Sequence, residues 1–275
     1  MPTQITFIRK YISVTALVAT ALAGCASTKS VNNTWALQQV LQQKPQVLLL
    51  GEQHDAPEHH EWERNTVTQW AAQDQLAAVV LEMADAGHST KALPANASES
   101  AVQTALAWNN KGWPWQNYGP TVMAAVQAGV PVYGGNLPRA QMRDVMQQTQ
   151  WDAHLPSAGW QRQLSAIREG HCDLLPDSQL APMARIQLAK DASMARTAQQ
   201  LVQAGKTVIL IAGRGHVLRS IGIPTWLPVD TRSVVAIGQA GDQAQALASD
   251  RDWVQYTPAT PPKDHCAELH AKWKK

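Results

Sequence analysis

The chain is short of several things at once. Its 275 residues include one phenylalanine, four tyrosines and three cysteines, and 23 basic residues stand against 21 acidic ones. Arg9 and Lys10 account for the whole of that excess, so the rest of the chain carries 21 charges of each sign. With no basic field left over, nothing in the charge points to nucleic acid as a partner. Eleven tryptophans take the place of the missing phenylalanine, and residues of that size serve first as core or interface anchors. An apolar content of 45% at this length is enough for one large domain, or a domain with an insert, whose core needs no external staple.

A long hydrophobic run is also missing at the N-terminus. Arg9 and Lys10 precede an apolar stretch from Ile12 to Leu22 that is too short to span a bilayer, the layout of a secretory leader. Leu22-Ala23-Gly24-Cys25 follows and resembles the bacterial lipobox, which implies a signal peptide over 1–24, cleavage before Cys25 and acylation of its sulfur. Residue 26 is alanine rather than aspartate, and the sorting rule implied by that resemblance sends the anchor to the outer membrane, facing the periplasm. Residues 25–34 read as the lipidated cysteine and a polar tether. With Cys25 lipidated, Cys172 and Cys266 remain as a pair in an oxidising compartment, and a disulfide between them is expected.

From residue 35 the pattern is that of an α/β domain, a mostly parallel central sheet covered by helices. Val47-Leu48-Leu49-Leu50 runs into Gly51-Glu52-Gln53-His54, and Val208-Ile209-Leu210-Ile211-Ala212 runs into Gly213-Arg214-Gly215-His216. Short apolar runs of this kind mark strands buried on both faces. Asp55-Ala56-Pro57-Glu58 opens a helix, and Ala77 to Leu81 is a second strand with Glu82 just past its end. Val130 to Tyr133 is a third, leading to Asn136; the helix Thr121 to Ala128 feeds it, and Gly129 closes that helix. Val234 to Ile237 and Trp253 to Tyr256 are the last strands. Between them, about 87–119 and 139–182 lack strand patterning and read as helical insertions forming a smaller cap. A long helix from Met183 to Gln203 carries Gln187 and Lys190 within its apolar face, so that turn either lines a polar site or is exposed.

His54, Glu82, Asn136 and His216 each fall close to the carboxyl end of a strand, where ligand crevices form in open α/β sheets. Glycine before each histidine lets the backbone turn sharply and approach a ligand closely. Two imidazoles and a carboxylate can hold a divalent metal, activate a water, or bind and ligate a cofactor.

The paired Gly-x-x-His segments with Glu82 between them resemble the superfamily that joins erythromycin esterases, Tiki-type Wnt-inactivating proteases and the ChaN haem-binding lipoproteins. Trp115 to Pro120 with its Tyr-x-Pro, Asn136-Leu137-Pro138-Arg139, Gly170-His171-Cys172, Gln187 to Ala195 and Gly222-Ile223-Pro224 are similar to the ChaN branch. That resemblance implies a lipoprotein of haem and iron uptake, a homodimer holding two haems face to face, and a tyrosine on each iron. Carried onto this chain, the iron ligand falls on Tyr118, with Tyr133 the other candidate. His54 and His216 become supporting residues, joined by Glu82 and Asn136, with Trp113 and Trp115 as porphyrin walls and Arg139 or Arg143 beside the propionates. An outer-membrane haem receptor is the expected partner. The esterase and protease branches imply a different function, a hydrolase in which Glu52, His54, Glu82 and His216 activate water directly or through a metal.

Overall fold

Strand β1 (Val47–Glu52) lies in the middle of the molecule and is buried along its whole length. Its alternate side chains feed two separate cores. Leu48 and Leu50 join Val79, Leu81, Trp70 and Val122 on one face of the sheet. Val47 and Leu49 join Val80, Leu210, Met194 and Ala198 on the other. A strand with apolar contacts on both sides has no polar face to alternate with, which is why the sequence reads as an unbroken apolar run.

The computed structural model describes residue 1 and residues 39–40, 42–241 and 246–273. The expected signal peptide, the lipidated Cys25 and the tether over 25–34 lie outside the described residues. Six strands form one sheet: β1, β2 (Leu76–Asp85), β3 (Val132–Asn136), β4 (Thr207–Gly213), β5 (Ser233–Ala240) and β6 (Trp253–Thr257), in the order β3-β2-β4-β1-β5-β6. Every neighbouring pair is parallel. Helices α1 (Pro57–Ala72), α2 (Glu99–Ala105) and α3 (Trp115–Gln127) lie between the first three strands in sequence. Then come α4 (Met142–Met146), α5 (Ser157–Gly170), α6 (Asp177–Gln200), α7 (Arg214–Val217) and α8 (His265–Trp273). No helix among the described residues is long and apolar enough to cross a membrane.

The α/β architecture and the parallel sheet are as the sequence implies; several boundaries move. β2 runs to Asp85, so Glu82 lies inside the strand, because apolar Met83 and Ala84 remain buried beyond it. Helix α1 begins after Ala56, with no side-chain cap; Asp55 plays no part and Pro57 supplies the preset φ of a first turn. Helix α3 starts at Trp115, before the expected Thr121, and Tyr118 is therefore helical rather than part of a loop. Pro120 lies inside this helix, where its missing N–H leaves the Gln116 carbonyl without its i+4 partner. Likewise α6 starts at Asp177, so the second strandless stretch gives way to it before residue 182.

Cys172 and Cys266 are bonded, with Cα atoms 5.5 Å apart across a separation of 94 residues. The bridge ties α8 to the segment after α5. In the chain-entropy model, closing a loop of that size is worth about 4–5 kcal/mol. Cys172→Ser/Cys266→Ser is expected to lower the unfolding free energy by up to about that amount, measured by urea titration under non-reducing conditions; an unchanged midpoint would show that the tie contributes nothing.

Candidate functional site

The carboxyl ends of β1, β2 and β4 meet in a cluster of charged groups with little access to water. β1 and β4 are hydrogen-bonded neighbours, with Glu52 opposite Gly213. This register brings together the two motifs that the sequence separates. The glycines are needed for a reciprocal reason: each leaves room for a side chain of the other motif. A Cβ on Gly213 would stand 2.8 Å from His54 Nε2, and one on Gly51 would stand 2.4 Å from Val217 Cγ2 and 3.3 Å from the Arg214 Cα.

Glu82 is the centre of the cluster and is 3% exposed. Its Oε2 accepts the Gly213 N–H at 2.8 Å and lies 3.8 Å from His54 Nε2. Its Oε1 is 3.3 Å from His216 Nε2 and 3.7 Å from Lys190 Nζ. Burial alone would raise the carboxyl pKa, but His216, His54 and Lys190 outweigh it and hold the group ionised, well below the usual range. His216 is clamped from its other side, Nδ1 lying 2.5 Å from Asp191 Oδ1. Burial opposes its charge, yet Glu82 and Asp191 together push its pKa up to about 10. Asp191, itself buried, is raised by that burial to about 6 against the pull of His216.

A second knot surrounds Glu52, 1% exposed. His54 Nδ1 is 2.8 Å from Oε1, the Tyr118 hydroxyl donates to the same oxygen at 3.0 Å, and His60 Nε2 lies 3.0 Å from Oε2. Burial would raise Glu52, but the hydrogen bonds from His54 and His60 bring it below its ordinary value. Glu63, fully buried nearby, is raised well above the usual range by burial and by the Glu52 charge, so it stays a neutral acid. Tyr118 is 2% exposed, and burial followed by Glu52 and Glu63 pushes its phenol above its ordinary pKa. Trp113 packs edge-on against His54, ring centroids 4.8 Å apart, and stands 5.9 Å from the ring of Tyr118.

The structure therefore gathers Glu52, His54, Glu82, His216 and Tyr118. It adds Asp191, Lys190, His60 and Glu63, and settles that the middle turn of α6 is a polar lining rather than an exposed patch. Asp191 was legible in principle as an acid within the buried run Leu188-Ala189 to Ala192. His60 and Glu63 had no signal, since they face Glu52 only through the docking of α1. Asn136 ends β3, is buried, and its Oδ1 has no partner among the described residues. Arg139 and Arg143 are exposed and outside the cluster.

Beside the cluster a cavity of about 870 Å³ opens between α5, α6 and α7, with His216, Asp191 and Gln187 along one side and His171 and Ile167 along another. That volume suits a cofactor-sized ligand. Water activation or metal binding would need an imidazole lone pair, and His216 has none to offer: both its nitrogens face carboxylates. Among the described residues no three His, Cys, Asp or Glu side chains are arranged to hold a metal ion.

The raised pKa of His216 means its folded state holds a proton more tightly than the unfolded chain does. Its contribution to stability is fully present below about pH 6.5 and is lost as pH rises towards 10. Urea unfolding between pH 6 and pH 10.5 should show this alkaline loss, and His216→Gln should flatten it. At neutral pH, His216→Ala leaves two buried carboxylates without their shared cation and is expected to cost about 3–5 kcal/mol. A variant as stable as the parent would mean the clamp is not buried in solution.

Three comparisons bear on this site. The family model for haem-binding uptake, Tiki superfamily, ChaN, matches residues 38–227, which include every member of the cluster. Among curated proteins none matches. A solved structure described as cofacial heme binding to ChaN of Campylobacter jejuni is 23% identical, with a TM-score of 0.67 over 80% of this chain and 90% of that one; the two share a fold. The type III effector HopBA1 is 13% identical, with a TM-score of 0.41 over 78% and 88% of the two chains. Since the family match spans more than half the chain and takes in both Gly-x-x-His segments, Glu82 and the α6 turn that faces them, this chain belongs to the ChaN family of haem-binding uptake proteins in the Tiki superfamily.

Proposed function

We propose that this chain is an outer-membrane lipoprotein of haem and iron acquisition. It is anchored by lipid on Cys25, faces the periplasm, and holds ferric haem in a homodimer with a tyrosine, Tyr118, on each iron; an outer-membrane haem receptor is its partner. The observation that carries the reading is the family match over residues 38–227. The description of the Campylobacter ChaN structure as cofacial haem binding supports haems held face to face, and so a dimer.

Haem is a flat amphiphile with two carboxylates and an iron that takes an axial oxygen or nitrogen donor. The cavity beside the cluster, which Tyr118 does not line, has chemistry of this kind: Ile167, Leu218 and Ile221 provide apolar wall and Arg214 a cation, while Arg162 is already paired with Asp250. Arg214 is half-buried; its guanidinium reaches Gln239 Oε1 at 3.4 Å and makes no ion pair among the described residues. Burial lowers its pKa, so a carboxylate there would relieve a desolvated charge. Arg139, exposed at the start of the 139–182 stretch, is a further cation proposed for a propionate, with Asn136 just before it.

Tyr118 would supply an anionic oxygen. In the described arrangement it is a neutral donor to Glu52 beneath Trp113, so ligation requires the phenol to be uncovered and to lose its proton. Ferric iron supplies the charge that stabilises a phenolate. Glu52, already accepting the hydroxyl at 3.0 Å, is placed to take that proton, with His54 and His60 set against its two oxygens. Of the two Gly-x-x-His histidines, His54 thus acts on the ligand, through the Glu52 carboxylate that it holds.

Titration of the purified chain with haemin is expected to give a saturable Soret change and, in light scattering, a dimer. Tyr118→Phe should alter the ferric spectrum by removing the phenolate contribution. A wild-type chain that gives no saturable change would end the haem reading, and an unchanged Tyr118→Phe spectrum would end the assignment of Tyr118.

A further inference from the structure

The histidines around the cavity differ in what their second nitrogen is doing. His216 is bonded on both sides. His171, at the C-terminus of α5, has Nδ1 2.8 Å from the Ile167 carbonyl oxygen. A carbonyl has no proton to give, so Nδ1 must be the protonated nitrogen, and a neutral ring then keeps its lone pair on Nε2. Nε2 has no hydrogen-bond partner among the described residues. An imidazole oriented by a backbone carbonyl through one nitrogen, with the other open, is the arrangement metal-ligating histidines adopt.

The position is also held firmly. The His171 N–H returns to the Ile167 and Arg168 carbonyls at 3.1 and 3.2 Å. Cys172 and Asp173 then take positive φ values of 54° and 57°, turning the chain sharply away, and Cys172 is tied to Cys266. The half-buried ring lines the same 870 Å³ cavity as the apolar wall of Ile167 and Ile221 and the guanidinium of Arg214, which makes no ion pair among the described residues. Open nitrogen donor, apolar wall and desolvated cation together match an iron porphyrin with its carboxylates.

The geometry points to a haem-docking position in the α5–α6–α7 cavity, with His171 Nε2 as the iron ligand, separate from Tyr118. This rests on the haem-binding reading above. It differs in needing no uncovering: Tyr118 must part from Glu52 and from its tryptophan cover, whereas His171 presents its donor in the arrangement described. The cavity position is therefore where incoming haem is received, with Tyr118 the alternative, tightly enclosed position.

The test uses the full chain carrying Tyr118→Phe, which leaves the cavity as the ligand source. Haemin added to it should still bind saturably, with the ferric spectrum of an imidazole-ligated haem. Adding His171→Gly should weaken that binding about tenfold or more, and free imidazole should restore the spectrum. Pulsed EPR on the Tyr118→Phe chain labelled with ¹⁵N-histidine should show a histidine nitrogen coupled to iron, a readout that survives if the double variant folds poorly. The inference is overturned if Tyr118→Phe alone abolishes saturable binding while the wild type binds, if His171→Gly leaves the spectrum and affinity unchanged, or if no histidine coupling is seen. Failure of the wild type to bind haemin would remove the haem-binding reading as well, and is distinct from all three.

Discussion

A single buried carboxylate organises the upper edge of this fold. Glu82 sits inside a fully parallel sheet, 3% exposed, where an ionised acid is tolerated only if its neighbours replace the water it has lost. Those neighbours come from four places in the chain: a backbone N–H from the end of β4, His54 after β1, His216 in α7, and Lys190 from α6. Each can reach Glu82 only if β1, β2 and β4 lie in the observed register and α6 packs across their ends. Charge satisfaction and topology thus constrain one another.

The same logic explains the glycines. Val217, just after the second motif, packs where a Cβ on Gly51 would be, and His54 of the first motif packs where one on Gly213 would be. The motif is therefore a device for fitting two strand ends into each other, and its histidines are the groups so fitted. Once there, they are held by carboxylates: His54 bonds Glu52 and faces Glu82 at 3.8 Å, and His216 bridges Glu82 and Asp191. Imidazoles in that state are charge carriers and scaffolding. His216, with a carboxylate facing each nitrogen, has no lone pair left for a metal or a water.

What the cluster does for haem follows from the donors it leaves closed or open. Tyr118, the proposed ligand, is a phenol pressed towards neutrality by burial and by Glu52 and Glu63, and it packs against Trp113. The cavity alongside shares His216 and Asp191 as part of its wall, yet exposes apolar surface and an arginine that makes no ion pair among the described residues. A protein of haem uptake has to release its cargo as well as hold it. An enclosed donor and an accessible one, on either side of one charge network, are suited to that requirement.

The apolar runs ending in Gly-x-x-His determined by themselves that there is a parallel sheet covered on both faces and that two histidines stand at its carboxyl edge. Local composition suffices for this, because a strand with two apolar neighbours has nowhere to put polar residues. Glu82 was also legible, as an acid expected just past the end of a buried strand, and Cys172 and Cys266 as the cysteine pair. Tertiary structure alone decided the rest. His60 and Glu63 enter the site through the docking of α1, and although Asp191 stands out as an acid in a buried run, its meeting with His216 depends on how α6 packs; no local pattern encodes which helix face meets which strand end. Tyr118 reads the same in sequence whether exposed or sealed; only the packing of α3 beneath Trp113 put its hydroxyl on Glu52. The open nitrogen of His171 likewise exists because a backbone carbonyl four residues earlier takes the proton of the other, a relation that the helix end creates and the sequence does not spell out.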